Sequence, residues 1–518
     1  MAEKRSNLLF VMVDQWHAGC LGAAGGFVST PHLDRLAGEG IRFTKAYCNA
    51  PVCGPSRVSF MTGQYPRTHR IQGNNIFAMD DRNDDILPVV FRKHGYETAI
   101  IGKAHLIDRW NRAGFEYIRY SDFCDADRSD PLSSHYFRHL VDKGLGDLYD
   151  QGALPSGHPG ASFRGFVSDI PEAYSLETWT GDEAVRFLDN RDRSRPFMLH
   201  LSFQRPHEPL TVPIDGGLLY DPFGIPLPDN AEDLFAYRFA GKPAKAVSHI
   251  ATPQGCPYVP ESEADLRRQL AFYYSLITRI DAQIGRVMES LRRTGEDDNT
   301  IIVFVADHGD FAGEHGLILK NLGIYESIHR IPLLLRYPGC PRDERISGLV
   351  ESVDLYPTLG RLCGIPVPDS VEGVDMGPMI KGESVGKKSV YCEWFPPGGS
   401  DKVLAIRSVE YRLVFDADSG EGELYDMQTD PGEIHNLFGK PEHLAIQAEL
   451  MQTLLTYISR FQVRSSFLSD EQTAHFSRND MTTMLHKRRL SWSKLEPLYA
   501  ERLQGSVTAG AHSKREGG

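Results

Sequence analysis

Basic patches are missing from this sequence. The sequence has no extended basic stripe, and the formal net charge is -13. Phosphate backbones are bound by clustered basic side chains, so this charge balance argues against a nucleic-acid-binding protein. Any anionic substrate must therefore be attracted by a local group of cationic residues.

Cysteine is scarce and scattered. The chain has 8 cysteines in 518 residues, and none of them forms a C-x-x-C pair. This spacing disfavours a disulfide framework and a cysteine-based zinc site. We expect reduced thiols, most of them in the core, at Cys20, Cys48, Cys53, Cys124, Cys256, Cys340, Cys363 and Cys392.

Long apolar runs and low-complexity tracts are also absent. The first apolar run, LLFVMV at residues 8–13, ends at Asp14 and is too short to cross a membrane. It also lacks the cleavage site of a signal peptide. With 41% hydrophobic and 24% charged residues, the composition is that of a globular protein. We expect a soluble protein without membrane contact, with the cytoplasm as the default location.

What the sequence does contain is an alternation of short apolar runs and helical patterns. The runs NLLFVMV, ETAIIG, PFMLHLSF and NTIIVFVAD predict buried strands, and apolar residues at helical spacing predict one long helix over 261–293. Continuous apolar strands between helices are typical of parallel sheets that are covered on both faces. The predicted fold is α/β, with a large, mostly parallel sheet sandwiched by helices.

The pattern changes after about residue 382. Three strand-like runs, SVYCEWF, KVLAIRS and YRLVFDA, precede a helix around 443–461. We predict a catalytic domain over 1–381, a small subdomain of antiparallel sheet plus helix over 382–463, and an extension over 464–518. The extension is interpreted as a frayed terminus or as an arm that docks on a neighbouring subunit, with roughly the last ten residues frayed.

Polar residues end two of the apolar runs. Asp14 and Gln15 follow the first run, and Asp307 and His308 follow the run at 300–306. Ligands of doubly wound sheets bind beyond the carboxyl ends of the strands. Each residue alone would more often be a strand-end cap or a turn residue, but together they predict a site for one divalent cation. The oxygen ligands favour Ca²⁺ or Mg²⁺, and the imidazole leaves Mn²⁺ open.

Cationic side chains follow other predicted strands. Together they can surround an oxyanion, although a lone lysine is more often solvated and a lone histidine more often satisfied in a turn. These residues are Lys103 and His105 in TAIIGKAH, His207 in LHLSFQRPHEP, and Lys320 in GLILKNLG.

One cysteine stands in an unusual context, the stretch APVCGPSRVSFMTG. Cys53 directly precedes a predicted helix whose first turn holds Pro55 and Ser56, and Arg57 can reach the same position. A catalytic thiolate is one interpretation, because helix N-termini and arginine lower the pKa of a thiol. A buried packing cysteine is the ordinary alternative.

The whole pattern resembles the type I sulfatases of the alkaline phosphatase superfamily, a group that includes choline sulfatase and phosphonate monoester hydrolases. The resemblance extends from Asn7 to about Leu437. The C-x-P-S-R signature at 53–57 is highly specific, whereas GKAH at 102–105 or RPHEP at 205–209 alone would be a weak signal. The other matching segments are Asp14-Gln15, ADHGDFAGEHGLILK at 306–320 and ELYDMQTDPGEIHNL at 423–437.

The resemblance implies a metal-dependent hydrolase of sulfate monoesters. It implies that a separate formylglycine-generating enzyme converts Cys53 to Cα-formylglycine. One oxygen of the aldehyde hydrate would attack sulfur to give a covalent sulfo-enzyme, and the other would later expel sulfate. The implied metal ligands are Asp14, Gln15, the converted Cys53, Asp307 and His308, with Ca²⁺ as the first candidate and Mn²⁺ or Mg²⁺ as alternatives.

The resemblance also implies roles for the cationic residues. Arg57 and the metal lower the pKa of the attacking hydroxyl. Lys103, His207 and Lys320 neutralise the nonbridging oxygens of the transferring group. His105 orients or deprotonates the hydrate, and either His207 or Lys320 protonates the leaving oxygen.

Three details bear on the substrate and the assembly. Asp307-His308 replaces the Asp-Asn of many arylsulfatases and is similar to the choline sulfatase and phosphonate monoester hydrolase branch, which tends to be cytoplasmic and homo-oligomeric. A dimer or tetramer is therefore expected. Lys103, however, is the sulfatase lysine from which phosphonate monoester hydrolases usually depart. Asn74, in GNN, is similar to a substrate-binding amide of some relatives.

We therefore place sulfate monoesters ahead of phosphonate monoesters and phosphodiesters, with promiscuity among them. Two other hypotheses stay open. One is a catalytically silent member of the family that acts as a binding or scaffold protein, which the filled catalytic positions disfavour. The other is a thiol hydrolase that uses unmodified Cys53, which rapid inactivation by iodoacetamide would favour.

Overall fold

The computed structural model describes residues 5–74, 85–106, 114–121, 131–149, 165–244, 259–320, 323–394 and 402–460. Its strands are β1 (Asn7–Val13), β2 (Ile41–Tyr47), β3 (Glu97–Gly102), β4 (Tyr117–Tyr120), β5 (Phe166–Ser168), β6 (Phe197–Phe203), β7 (Thr211–Pro213), β8 (Thr300–Ala306), β9 (Arg330–Arg336), β10 (Glu344–Ile346), β11 (Val350–Glu351), β12 (Ser389–Trp394), β13 (Val403–Ser408), β14 (Tyr411–Asp416) and β15 (Gly422–Asp426). Its α-helices are α1 (Pro31–Glu39), α2 (Cys53–Thr62), α3 (Pro66–His69), α4 (Leu87–Lys93), α5 (His135–Asp142), α6 (Leu176–Asn190), α7 (Glu232–Phe235), α8 (Glu263–Arg293), α9 (Glu326–His329), α10 (Leu355–Leu362), α11 (Gly377–Ile380) and α12 (Leu444–Arg460).

A nine-stranded sheet forms the centre of the fold. Its strand order is β10-β2-β9-β8-β1-β6-β3-β4, and β11 also pairs with β2. Every neighbouring pair is parallel except the two made by β9, which runs antiparallel to β2 and β8. β1, β6 and β8 are buried along their whole lengths, as expected of strands with both faces covered. The predicted α/β fold with a large, mostly parallel sheet is confirmed.

The long predicted helix is α8, which leads into β8. The Ser262 side chain caps its start by accepting a hydrogen bond from Asp265 N at 3.2 Å. Arg292 and Arg293 lie in its last turn, where positive charge suits the helix dipole. α8 packs against α6 and α1. Within the described ranges, no helix, α8 included, is long and apolar enough to span a membrane.

A smaller antiparallel sheet follows, with strand order β12-β13-β14-β15. α12 packs on β13 and β14, and Ile406, Leu413, Leu424 and Leu450 are among the buried residues between them. The sequence predicted three of these strands and the helix. β15 was missed because its apolar alternation is short and its residues were interpreted only as part of a family motif. The boundaries at 381 and 463 stay a prediction, and the extension at 464–518 lies outside the described residues.

A buried ionic cluster joins the two sheets. Glu326, at the start of α9, accepts hydrogen bonds from Tyr47 Oη at 2.8 Å, Arg407 Nε at 3.2 Å and Arg412 Nη1 at 3.1 Å. Arg412 Nε also lies 2.9 Å from Glu433 Oε1. Burial alone would raise the pKa of Glu326, but the arginines lower it to about 2. The two sheets are therefore linked by buried opposite charges, each of which compensates the desolvation of the other.

Candidate active site

The carboxyl ends of β1 and β8 carry the first acidic residues of the site. β1 and β8 are parallel neighbours, and Asp14 and Asp307 directly follow them. Asp14 N donates to Phe203 O at 3.0 Å, and Asp307 N donates to Val13 O at 3.2 Å. Both residues therefore continue the ladders of the sheet, and the strand ends form the crevice where ligands of such sheets bind.

A cluster of four buried donor groups lies at this crevice. One ligand atom from each of Asp14, Cys53, Asp307 and His308 lies within 4.8 Å of all the others. His308 Nδ1 lies 2.8 Å from Gly309 O and donates its proton to that carbonyl, so that Nε2 is the ring nitrogen that faces the cluster. Two carboxylates with one imidazole and one further donor fit a divalent cation.

Lys320 places an ammonium group against this cluster. Its Nζ lies 2.8 Å from Gln15 Oε1 and 3.2 Å from both Cys53 Sγ and His308 Nε2. Burial alone would lower the pKa of Lys320, but neighbouring negative charge, that of Cys53 first, raises it above its ordinary value. The donor cluster therefore already accommodates positive charge. The nitrogen of the same Gln15 amide, Nε2, donates a hydrogen bond to Asp310 Oδ2 at 2.7 Å, which fixes the orientation of the amide.

Cys53 is the first residue of α2. Val52 has an extended backbone, and Ser56 N donates to Val52 O at 3.1 Å as the first hydrogen bond of the helix. The prediction that Cys53 stands just before the helix is therefore wrong by one position. The Ser56 hydroxyl donates to Asp307 O, which joins the helix start to the end of β8. Asn74 Oδ1 accepts a hydrogen bond from Gly54 N at 2.9 Å and supports the same turn.

Arg57 connects four strand ends. Its Nε donates to Asp307 Oδ2 at 2.7 Å, and its Nη1 donates to Lys103 O at 2.9 Å and to Ser202 Oγ at 2.8 Å. Nη2 lies 3.5 Å from Asp14 Oδ2. That nitrogen is buried and has no hydrogen-bond partner among the described residues. Arg57 therefore offers one charged donor to a further acceptor.

Lys103 reaches the site from the end of β3. Its backbone N donates to Ser202 O at 3.0 Å, and its Nζ contacts Asp14 Oδ2. The preceding residue, Gly102, has φ +99, and a Cβ there would lie 1.8 Å from Ser202 O. Only glycine allows this close approach of β3 and β6. The glycine before Lys103 in the GKAH motif is therefore required for steric reasons.

The charges around Cys53 decide its ionisation. Burial alone would raise the pKa of the thiol, but Lys103, Lys320 and His308, with a hydrogen bond from His105, hold it well below its ordinary value. His105 itself has φ +46, in the left-handed region that non-glycine residues rarely adopt. The environment therefore stabilises negative charge at position 53.

His207 follows β6 in a loop with two cis peptide bonds, Arg205-Pro206 and Glu208-Pro209. Its Nδ1 lies 2.9 Å from Glu208 O and 3.3 Å from Glu208 Oε2. Burial alone would lower the pKa of His207, but Glu208 first and then Asp14 raise it, against the opposing charges of Lys320 and Lys103. The charges of the donor cluster and its lysines thus influence the pKa of His207.

The predicted site residues all fall within the described ranges and converge on this crevice. Asn74 differs from the others because its side-chain oxygen accepts a hydrogen bond from the α2 backbone. Sequence analysis missed three side chains that hold the predicted ones. Glu208 and Asp310 stand beside quoted motif residues, a signal that was available, whereas Ser202 lies inside an apolar run and gave none. Their assignment to catalysis or metal binding stays a prediction.

Comparison with known proteins agrees with this arrangement. The family profile described as Sulfatase matches residues 6–365, and the profile described as N-sulphoglucosamine sulphohydrolase, C-terminal, matches residues 313–460. An arylsulfatase of Clostridium perfringens is 30% identical over 468 residues, which cover 85% of this chain and 91% of that protein. An N-acetylglucosamine-6-O-sulfatase of Bacteroides thetaiotaomicron is 28% identical over 516 residues, covering 87% of this chain and 86% of that protein.

Among solved structures, the phosphonate monoester hydrolase from Silicibacter pomeroyi aligns with a TM-score of 0.71 at 26% identity, covering 88% of this chain and 96% of that one. Sequence and fold therefore agree over most of the chain. The chain belongs to the sulfatase family, a family of hydrolases within the alkaline phosphatase superfamily.

Proposed function

We propose that the protein hydrolyses sulfate monoesters with a formylglycine hydrate, formed from Cys53, as the nucleophile. The environment of Cys53 carries the proposal. Its Sγ lies 3.5 Å from Asp14 Oδ1, 3.3 Å from His308 Nε2 and 3.2 Å from Lys320 Nζ. A packing cysteine behaves as a small apolar side chain among apolar neighbours. This one is surrounded by the ionic groups that a reacting oxyanion needs.

The nucleophile requires a base and a source of positive charge. His105 is within hydrogen-bond range of the side chain at position 53 and is the group that takes or holds its proton. Asp14, Asp307 and His308, with the Gln15 amide oxygen and the converted side chain at position 53, would hold the divalent cation. When bound, that cation supplies charge that lowers the pKa of a nearby hydroxyl.

Cationic side chains hold the sulfate group. Arg57 Nη2 is a buried donor without a hydrogen-bond partner among the described residues, and Lys103 and Lys320 bring ammonium groups to the same crevice. Opposite unit charges about 4 Å apart attract by about 4 kcal/mol at an effective dielectric constant of about 20. The net charge of -13 is spread over the molecule, and charges beyond about 8 Å are largely screened at physiological salt. The local cations therefore decide which ion binds.

Mass spectrometry of the tryptic peptide 46–57 tests the proposal. The protein is made in a host that contains the converting enzyme. Conversion of the CH2SH side chain to CHO removes sulfur and two hydrogens and adds one oxygen, which lowers the mass by about 18 Da. The same peptide carries Cys48, which should keep an alkylatable thiol and so serves as an internal control. An active enzyme in which both thiols are alkylated would contradict the formylglycine mechanism and favour the thiol hydrolase.

Phosphonate monoester or phosphodiester hydrolysis is the second candidate. His308 in the donor cluster, where many arylsulfatases have asparagine, and the likeness to a phosphonate monoester hydrolase structure support it. The retained Lys103 favours sulfate. Comparing kcat/KM for an aryl sulfate, an aryl phosphonate and a phosphodiester with the same phenol separates the candidates. The expected order places the sulfate first, and a larger value for the phosphonate would reverse the assignment.

A further inference from the structure

The Glu208 carboxylate acts on both groups that can protonate the leaving oxygen, but its direct contact is with His207. Glu208 presents two acceptors to His207 Nδ1, its own backbone carbonyl at 2.9 Å and its carboxylate Oε2 at 3.3 Å. A nitrogen that faces two acceptors carries a proton. The tautomer with Nδ1–H is therefore selected, and Nε2 lies on the opposite side of the ring.

The Glu208 carboxylate also needs a positive partner. Its Oε2 is buried and accepts no hydrogen bond from any residue in the described part of the chain. A buried carboxylate without a hydrogen bond is costly unless a cation lies beside it. The charged imidazole is the nearest such cation, 3.3 Å away, and both side chains are mostly buried, at 20% and 14% exposed. Lys320 is a second cation in the field of Glu208, which helps to raise the pKa of its ammonium group.

The other charges around His207 do not cancel this effect. Asp14 at the end of β1 favours the charged ring, while Lys103 at the end of β3 and Lys320 in the loop after β8 oppose it. With Glu208 included, the pKa of His207 lies above its ordinary value in spite of burial. Glu208, as the larger contribution, and Asp14 together therefore outweigh burial and the two lysines.

We propose that Glu208 is a positioning residue that makes His207, rather than Lys320, the general acid. The inference rests on the proposed sulfate ester hydrolysis. As the nucleophilic oxygen bonds to sulfur, the bond from sulfur to the leaving oxygen breaks and its electron pair stays on that oxygen. The leaving oxygen takes the proton from His207 Nε2. Nδ1 keeps its proton against Glu208, and Lys320 stays a cation beside the transferring group.

The test compares Glu208→Gln and Glu208→Asp with the unchanged enzyme on aryl sulfates whose phenols differ in pKa. In Glu208→Gln, kcat/KM for the least acidic phenols should fall about 100-fold, the usual size of general acid catalysis. The most acidic phenols should change little, because they leave without a proton. The alkaline limb of the pH profile should move to lower pH, since His207 loses its proton more easily. Glu208→Asp keeps the charge and should restore most of both properties.

Further measurements distinguish the loss of proton transfer from general damage to the site. Metal content and the mass of peptide 46–57 should match the unchanged enzyme in both variants. Adding Glu208→Gln to His207→Gln should have no further effect on the least acidic phenols, because both changes remove the same proton transfer. An equal loss for every phenol with an unmoved alkaline limb would make Glu208 merely structural and overturn the inference.

The outcome for the unchanged enzyme separates this inference from the proposed function. If the enzyme turns over no aryl sulfate, the proposed function fails and the inference fails with it. If it is active and the Glu208 variants keep its pH limb and its leaving-group dependence, the inference alone is contradicted.

Discussion

Neighbouring charge overrides burial at Cys53, whereas burial dominates at other buried cysteines of this protein. Cys53, Cys363 and Cys392 are all buried. Burial raises the pKa of Cys363 to about 12 and raises that of Cys392 well above its ordinary value. The pKa of Cys53 is lowered instead, because Lys103 and Lys320 lie beside it. The same residue type is therefore inert in one place and chemically distinct in another.

Replacing Cys53 tests this difference. Cys53→Ala should reduce turnover of an aryl sulfate to less than a few per cent of the original rate, because the nucleophile is removed. Thermal unfolding should stay cooperative, since the change leaves the polypeptide backbone unaltered. Cys363→Ala removes another buried thiol outside the cluster and should keep kcat. Substantial turnover in Cys53→Ala would exclude this residue as the nucleophile.

Lys103 is expected to act on the transition state more than on substrate binding. Lys103→Ala should lower kcat more than it raises KM, by roughly 100-fold in kcat if it acts like one lost oxyanion donor. Steady-state kinetics on one aryl sulfate measures both values. Lys388→Ala, an exposed lysine, is the control and should leave both unchanged. A change confined to KM would make Lys103 a substrate-binding residue only.

The donor cluster makes a prediction about bound metal. Asp307→Asn and His308→Ala should each lose the divalent cation, because each removes a ligand from the set around position 53. Elemental analysis of the purified proteins gives the stoichiometry, with the exposed Asp369→Asn as the control. Full metal content in both site variants would show that the cluster is not the metal site.

At the scale of elements, strand β6 carries a buried histidine behind the site. His200 lies between Phe10 and Phe115, with ring centroids 5.4 Å and 6.5 Å away. Burial, with the charge of Arg57, lowers its pKa to about 3. Its Nδ1 has no hydrogen-bond partner among the residues that the structure describes. β6 therefore holds a neutral imidazole in an aromatic environment.

This imidazole should make stability depend on pH. In the unfolded chain a histidine titrates near pH 6.5, so from about 6.5 down to 3 the unfolded state binds a proton that the folded state does not. As the pH is lowered through this range, His200 therefore decreases the free energy of unfolding by at most about 1.4 kcal/mol per pH unit. His200→Phe should flatten that dependence below about pH 6.5 and not above it. Urea unfolding over this range measures the slope, and an unchanged slope would contradict the assignment.

Sequence patterns predicted the secondary-structure elements better than they predicted which strands and side chains contact each other. Apolar runs were long enough to predict β1, β3, β6 and β8, and helical spacing located α8 within two residues of its start. The antiparallel direction of β9 and the pairing of β15 could not be predicted, because both depend on which distant segments meet. The strand-end residues were found because a polar residue after an apolar run is visible in one dimension. Glu208 lies in the quoted RPHEP motif and was still not singled out, since its importance depends on where His207 Nδ1 points.

At the scale of the whole molecule, the ionic cluster between the two sheets should contribute to stability. Arg412→Ala removes one of the two arginines that contact Glu326 and the arginine that contacts Glu433. Breaking a buried pair on one side costs about 3 to 5 kcal/mol, which denaturant unfolding can measure. Arg345→Ala removes an exposed arginine and should change stability by no more than about 0.5 kcal/mol. Equal stability of the two variants would mean that the sheets are held by apolar contacts alone.

The position of β1 between β6 and β8 has a consequence for the timing of synthesis. Gln15 and Asp307, which meet at the crevice, are 292 positions apart in the chain. At about 5 to 20 residues per second, a ribosome needs roughly 15 to 60 s to make the residues between them. Throughout that interval β1 lacks one of its two neighbours and the segment around Cys53 has no crevice to enter. If Cys53 is converted as proposed, the converting enzyme can reach this side chain on the growing chain, before the last strands are made.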